Sequence, residues 1–507
     1  MSTTGKVPNK CVRLGESERR NIEQAGNEVR SRDDRRGKVN SSIAALAILS
    51  CGVAALGSSP AAEAQGAGDA VTAASLPQDP ANRSSWASSC RQLDQAVGIK
   101  SWVVRSPSSC DTILGDSWGF RSSLASAGIG ISLYSINNFS SNVMNNDTAQ
   151  PKTQAFGGQK PTLSSLTNLY ITYNLGALGD ADGQLVVGGT ATRNTWVSLG
   201  PSGNSLNSAY WYQSLFNKKL EFKIGYMAMA LEYIGAQLGG TLAGGANGIS
   251  ASIQYSQGLT SPALSSPSAS ITYNISKDFY DRFGITRSTD PGGATPNFTY
   301  NRTSTRFEIP NREVGAIAIN EFGYRHRPDE NSSLTWVRAG YFHNDSGFAS
   351  YSSPGTTSHS TVEYILADHQ FLKLSSARTD PNTPGRGYYV GGTFMNADCD
   401  IALFCKYGEV RLYGIGIIPN RPADIVSIIG NHSMFSGAAE AARHIVAPHV
   451  AQNALTLAYL AHITPGWYIN GGLGFTEHPA FGSSITTPTS NSYSSALNFL
   501  LGTSLFF

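Results

Sequence analysis

Charge is what this sequence has least of. Of 507 residues, only 14% are Asp, Glu, Lys or Arg, against about 25% in ordinary soluble proteins. Long apolar runs are missing too. No segment approaches the ~20 consecutive apolar residues that a membrane helix requires, which excludes a polytopic helical membrane protein. The net charge is only +2, with no Lys/Arg block in the main body, so nucleic acid is not an expected partner. No P-loop, His-Glu-x-x-His helix or Gly-x-Gly-x-x-Gly turn is present, and neither is a Cys-x-x-Cys or Cys/His spacing suited to zinc. No catalytic residue, metal or cofactor is therefore expected. What the chain does have is glycine, 53 residues of it, with 22 Tyr and 21 Phe. Such aromatic richness at low net charge is unlike a disordered chain.

The first 64 residues differ from the rest. Residues 1–40 are polar and end in Arg35, Arg36 and Lys38. An apolar run follows from Ile43 to Leu56, then Ala62-Glu63-Ala64. A basic flank, a short apolar core and a small-x-small exit form a secretory signal, with cleavage expected after Ala64. Without residues 1–64 the chain keeps 27 basic and 28 acidic residues, so the slight basicity belongs to the export segment. Four cysteines remain: Cys90, Cys110, Cys399 and Cys405. Four allow three connectivities. Proximity in sequence favours 90–110 and 399–405 in an oxidising compartment, with free thiols as the alternative.

From about residue 118 onward, short alternating segments are separated by Gly, Asn, Asp, Ser and Pro clusters. Leu169–Leu175, Leu220–Tyr226, Ser270–Ile275, Leu334–Phe342 and Leu455–Ile463 each place apolar or aromatic residues on one parity. This is the period-2 signature of a two-faced sheet. Tyr210-Trp211-Tyr212, Phe279-Tyr280 and Tyr388-Tyr389 suggest an aromatic girdle at strand ends. The last segment alternates Phe499, Leu501, Thr503, Leu505 and Phe507, as expected of a terminal strand read by barrel-assembly machinery.

Only helices and closed barrels satisfy their backbone in lipid, and a spanning strand takes about 10 residues. Residues 118–507 then accommodate sixteen strands with their connections. The expected fold is all-β: a transmembrane antiparallel β-barrel of sixteen strands with short periplasmic turns and longer extracellular loops. Its width leaves an aqueous channel.

Five segments resemble the carbohydrate-selective porin family, the OprB-type porins of Gram-negative outer membranes. Gly115-Asp-Ser-Trp-Gly-Phe-Arg121, with Leu124, Gly128 and Ile129, is similar to the family's opening strand. Tyr210–Phe216 with Leu220–Gly225 resembles a family hairpin. Glu321-Phe-Gly-Tyr324 with Ala339–Phe342 comes next. Ala367-Asp-His-Gln370 and the Arg-Pro-x-Asp turn within Gly416–Asp424 follow, and Leu455–Pro465 ends on Ile-Thr-Pro. The chain departs from the family pattern at Asn453–Thr456 and Asn470–Gly474, which bears on substrate preference more than on fold. The expected organisation is a leader and signal over 1–64, a periplasmic arm or extension over 65–114, and the barrel over 115–507.

The resemblance implies passive, selective diffusion of carbohydrates (glucose, related mono- or oligosaccharides, polyols) across the outer membrane, with lipid and lipopolysaccharide around the barrel. A general or ion-selective porin is the nearest alternative. A barrel enzyme or a secreted polysaccharide-binding protein is more distant. Parity turns Glu221, Lys223, Trp336, Arg338, Glu409 and Arg411 toward the lumen, because a charge facing lipid costs up to several kcal/mol near the midplane. The resemblance adds Arg121, Glu321 and Arg325 as pore-lining candidates. An acid–base cluster drawn from Glu221, Lys223, Arg338, Glu409 and Arg411, with Trp336 as a stacking surface, is expected to form part of a constriction.

Overall fold

The computed structural model describes residues 90–103, 108–144, 154, 156–178, 181–196, 202–234, 252–261, 265–289, 314–326, 332–375, 385–442, 451–479 and 495–507. The expected leader and cleavage point fall outside these residues.

The alternating segments form strands. The first eight are β1 (Ile129–Asn142), β2 (Thr162–Leu178), β3 (Ala181–Asn194), β4 (Gly203–Leu215), β5 (Leu220–Met227), β6 (Ser266–Asn274), β7 (Phe279–Arg287) and β8 (Ala316–His326). The second eight are β9 (Thr335–Ala349), β10 (Thr357–Lys373), β11 (Gly387–Ala397), β12 (Phe404–Ile415), β13 (Ile425–Phe435), β14 (Ala451–Thr464), β15 (Trp467–Glu477) and β16 (Ser495–Phe506). Each pairs antiparallel with its sequence neighbour, and β1 closes on β16 with Tyr134 opposite Phe506. Closure leaves no edge with unpaired backbone, the condition for crossing lipid with strands. The barrel has the sixteen strands that the sequence arithmetic gives.

Side-chain parity sorts the wall into two surfaces. In β12, Val410 and Leu412 point outward, and Val410 is 64% exposed. Glu409, Arg411 and Tyr413 between them are buried on the inner side. The same alternation runs through β9, with Val337 and Tyr341 outward and Trp336 and Arg338 inward. One strand position in two thus faces outward, where Val337, Tyr341, Val410 and Leu412 are apolar side chains suited to hydrocarbon.

The two ends of the barrel differ. The end holding Phe507 has connections of two to thirteen residues, whereas those at the other end run from six to thirty-eight. The longest joins β5 to β6, and its described parts fold inward, where Met229, Tyr233, Ile234, Ile253 and Leu259 are buried. Asn344 on β9 donates to the Gln257 carbonyl at 2.8 Å, and the Ser360 hydroxyl on β10 donates to Gln257 Oε1 at 2.6 Å. This connection therefore narrows the lumen from inside.

Ahead of β1, residues 90–97 form a helix α1, and Phe120–Ser126 forms a short helix α2. Gly115–Arg121, expected as the opening strand, is instead a 3-10 turn over Ser117–Gly119 leading into α2. Left-handed backbone at Gly115, Trp118 and Gly119 breaks any extended run there. Cys90 is bonded to Cys110, and Cys399 to Cys405. The aromatic pairs do not both join an outer girdle either. Trp211 and Phe279 point outward, while Tyr210, Tyr212, Tyr280 and Tyr389 are buried inside. Adjacent residues on a strand face opposite ways, so each pair can give only one member to a girdle.

Candidate functional site

A row of charged side chains climbs the inner wall from β5 to β12. Arg282 on β7 stands opposite Glu321 on β8 in the strand register, and Glu321 stands opposite Gly340 on β9. Further round the wall, Asp368 on β10 and Arg411 on β12 both pair with Gly391 on β11. Neighbouring strands are about 4.8 Å apart, so inward side chains at matched heights touch.

Glu321 is the centre of one group. Its carboxylate accepts from Tyr280 at 2.9 Å and from Tyr364 at 3.0 Å. It lies 3.8 Å from Arg282 Nη1 and 4.0 Å from Arg338 Nη1. Arg411 is the centre of the other. Its guanidinium bonds Glu409, donates to Thr393 Oγ1 at 2.9 Å and reaches Asp368 at 3.2 Å. Tyr413 also donates to Asp368, at 2.9 Å. On the third side, Lys223 is paired with Glu232 of the β5–β6 connection at 2.6 Å. That connection is tied to the wall by its backbone, since Arg338 donates to the Tyr233 carbonyl at 2.9 Å and Arg282 to that of Glu232.

Two glycines make the groups possible. A Cβ on Gly391 would come 2.4 Å from Asp368 Oδ1 and 2.9 Å from Arg411 Nη2, so the ion pair crosses over a residue with no side chain. A Cβ on Gly340 would meet the Tyr364 hydroxyl at 2.5 Å, where that ring passes to Glu321.

The row balances its charge. Lys223, Arg282, Arg338 and Arg411 form ion pairs with Glu232, Glu321, Asp368 and Glu409, four charges of each sign. Among the described residues, Arg338 Nη2 and Arg411 Nε have no hydrogen-bond acceptor although buried. A buried donor without a partner is costly.

Most sequence-nominated residues meet here: Lys223, Glu321, Arg325, Trp336, Arg338, Glu409 and Arg411. Glu221 faces inward but sits nearer the short-turn end, held by Tyr212 at 2.6 Å and Asn274 at 3.3 Å. Trp336 is not a free stacking surface. It is 2% exposed, and the guanidiniums of Arg325 and Arg338 lie 4.5 and 4.0 Å from its ring centroid. Arg121 does not line the lumen. It sits on α2 and donates to the backbone carbonyls of Ile131, at 2.9 Å, and Phe507, because its segment is a helix outside the wall rather than a strand of it. Ser117 lies in text with Gly-x-Ser-x-Gly spacing, Gly115–Gly119. Its hydroxyl donates to the Leu114 carbonyl within the 3-10 turn, and among the described residues no strand precedes it, so it is no nucleophile elbow.

Sequence reasoning missed Arg282, Asp368 and Glu232. Arg282 was accessible by parity, since Phe279, Phe283 and Ile285 point outward around it. Asp368 was masked because inward Tyr364 and Leu366 are as apolar as outward Ile365. Glu232 lies on an aperiodic connection, where parity says nothing.

A closed sixteen-stranded barrel with an inward-folded connection and a charged inner wall is a porin, a channel rather than an enzyme. The chain belongs to the carbohydrate-selective porin, OprB family, whose model matches residues 137–494. Members of that family reside in the outer membrane of Gram-negative bacteria and pass sugars. The high-pH structure of Pseudomonas putida OprB is similar with a TM-score of 0.61 at 15% identity, over 78% of this chain and 98% of that one. A mutant of the Rh. blastica porin aligns at 9% identity and a TM-score of 0.41, over 75% and 100% of the two chains. No curated protein matches the sequence.

Proposed function

We propose that the channel passes small neutral carbohydrates, glucose and related mono- or oligosaccharides and polyols, by passive diffusion past the charged row. The observation that carries this reading is the charge balance of the row. A sugar in a narrow pore must exchange water hydrogen bonds for protein ones that are weak enough to release. Alternating guanidiniums and carboxylates supply donors and acceptors to neighbouring hydroxyls, and ionised partners make the stronger bonds. Equal numbers of both signs leave little net field to attract or repel ions, which favours a neutral solute over the ion-selective reading.

In this reading the short-turn end faces the periplasm, and the β16 strand ending at Phe507 is what assembly machinery recognises. Lipid and lipopolysaccharide surround the outer face. The test is single-channel current with glucose titration, paired with liposome swelling. Arg338→Ala combined with Glu409→Ala is expected to weaken glucose block. Unchanged block in a folded double variant overturns the assignment of these residues. Reversal potentials separate the sugar channel from an ion-selective one.

A further inference from the structure

The segment before β1 does not stay outside the barrel. From α1 the chain enters the short-turn mouth, where the Val97 carbonyl accepts from Thr172 and the Gly98 carbonyl accepts from Gln184 at 2.9 Å. Lys100 then bonds Asp182 on β3 and Asn174 on β2, the latter at 3.2 Å. The next carbonyl, of Ser101, accepts from Lys223 on β5 at 2.8 Å. Trp102 packs edge-on against the inward ring of Tyr170, with centroids 5.0 Å apart. The Val103 carbonyl accepts from Arg325 on β8 at 2.8 Å.

The strand order makes this path informative. In a closed ring of sixteen strands, β8 lies six strands from β2, so the contacts of residues 97–103 sweep more than a third of the ring. Yet the same segment returns to the starting side by residue 111. Asp111, fully buried, accepts from His462 at 3.0 Å, from the Gly466 amide at 2.8 Å and from Tyr468. Cys90–Cys110 closes the loop at its base. Ser101 at its inner turn has φ +56°, a left-handed conformation uncommon for a residue with a side chain, which the contacts on both sides hold in place.

We propose that residues 98–103 form a strap across the short-turn mouth, a second constriction in series with the charged row, which sets the size limit of the channel. Lys100–Asp182 and the Cys90–Cys110 bond tether it, beside the bonds that its carbonyls accept from Lys223 and Arg325. Asp111 anchors its base. A strap held inside the mouth by β2, β3, β5 and β8 removes cross-section whatever the row beyond it selects. It acts on ions and sugars alike, so its failure and that of the sugar reading are distinguishable.

The experiment uses the full chain in planar bilayers and liposomes. Trp102→Ala removes bulk from the strap without touching its tethers. Asp182→Ala, with a phosphine reductant added to the already inserted channel, releases the Lys100 pair and the Cys90–Cys110 bond without requiring the reduced chain to fold. Either change is expected to raise KCl conductance about twofold, since conduction follows the open diameter. Larger oligosaccharides are then expected to enter in the swelling assay. The Cys399→Ser/Cys405→Ser variant, given the same reductant, reports any effect of the second disulfide. Unchanged conductance and unchanged sugar cut-off in both strap variants, with barrels intact by heat-modifiable mobility, would place the segment beside the conduction path and overturn the proposal. A rise in either supports it.

Discussion

Arg411 is the residue whose loss should report most directly on the electrostatics of the lumen. Among the described residues, its guanidinium is the one cation in ion-pair contact with Asp368 and Glu409, at 3.2 Å from the first and bonded directly to the second. Arg411→Gln keeps a donor near Thr393 but removes the positive charge, so the row carries one surplus carboxylate. A potassium ion passing about 5 Å from that carboxylate gains about 0.8 kcal/mol at the dielectric of water, and about 3 kcal/mol at an effective value near 20. At about 1.4 kcal/mol per factor of ten, cation preference rises between about fourfold and about 200-fold. Salt screening pushes the result toward the lower figure. The measurement is the reversal potential under a KCl gradient, read beside the unaltered protein. A cation-selective shift is expected, shrinking as ionic strength rises. A reversal potential identical to that of the parent, in a barrel that still shows heat-modifiable mobility, would refute the idea that Arg411 balances charge in the conduction path. Removing one partner from a buried charge group commonly costs about 3–5 kcal/mol, so the gel-shift temperature should fall as well.

Gly391→Ala should destabilise the barrel by about 1–3 kcal/mol through overpacking against Asp368 and Arg411, whereas Gly430→Ala, with nothing within 4 Å of its Cβ, should not; thermal gel-shift midpoints compare the two. Arg121→Ala should lower that midpoint, because bonds from a charged donor contribute about 1.5–3 kcal/mol, yet leave glucose block unchanged; altered block would return Arg121 to the pore. Asp400, beside the Cys399–Cys405 loop, has a carboxyl held below its ordinary pKa by hydrogen bonds from Ser350, at 2.6 Å, and Ser352, at 2.8 Å. A depressed folded pKa means that its stabilisation is complete above the ordinary carboxylate range and is lost as pH falls through the folded value. The protection of the Ser352 amide, taken relative to its intrinsic exchange rate, should therefore fall on acidification in the parent and show no such dependence in Asp400→Asn.

Most of the barrel was legible because lipid enforces a rule on half of each strand. Val410 and Leu412 must be apolar, so Glu409 and Arg411 between them could be assigned inward without any structure. The rule lapses where the environment stops enforcing it. Gly115–Arg121 lies outside the bilayer wall, where Trp and Phe carry no parity information, and its resemblance to an opening strand was misleading about local conformation. The contribution of residues 90–103 to the lumen had no sequence signature at all. Lys100, Trp102 and Val103 reach β2, β3 and β8 through a backbone carbonyl, a ring contact and one ion pair, and no periodicity records such contacts.

Parity also says only which way a side chain points, never what it meets. Trp336 was correctly expected inside, but its role as a stacking face assumed an open ring. Register decides that question. Arg325 stands opposite Trp336 in the β8–β9 pairing, and Arg338 follows two residues along the same face. Both guanidiniums therefore lie within reach of the indole, and each contact is worth about 0.5–2 kcal/mol once desolvated. A sugar ring cannot displace them at a cost consistent with rapid release. The indole instead positions two of the cations that a sugar hydroxyl would meet. Trp336→Leu should accordingly weaken glucose block through misplaced Arg325 and Arg338, and Arg338→Lys should weaken it as well while keeping the charge. If Trp336→Leu weakened block and Arg338→Lys did not, direct stacking on the indole would be the better account.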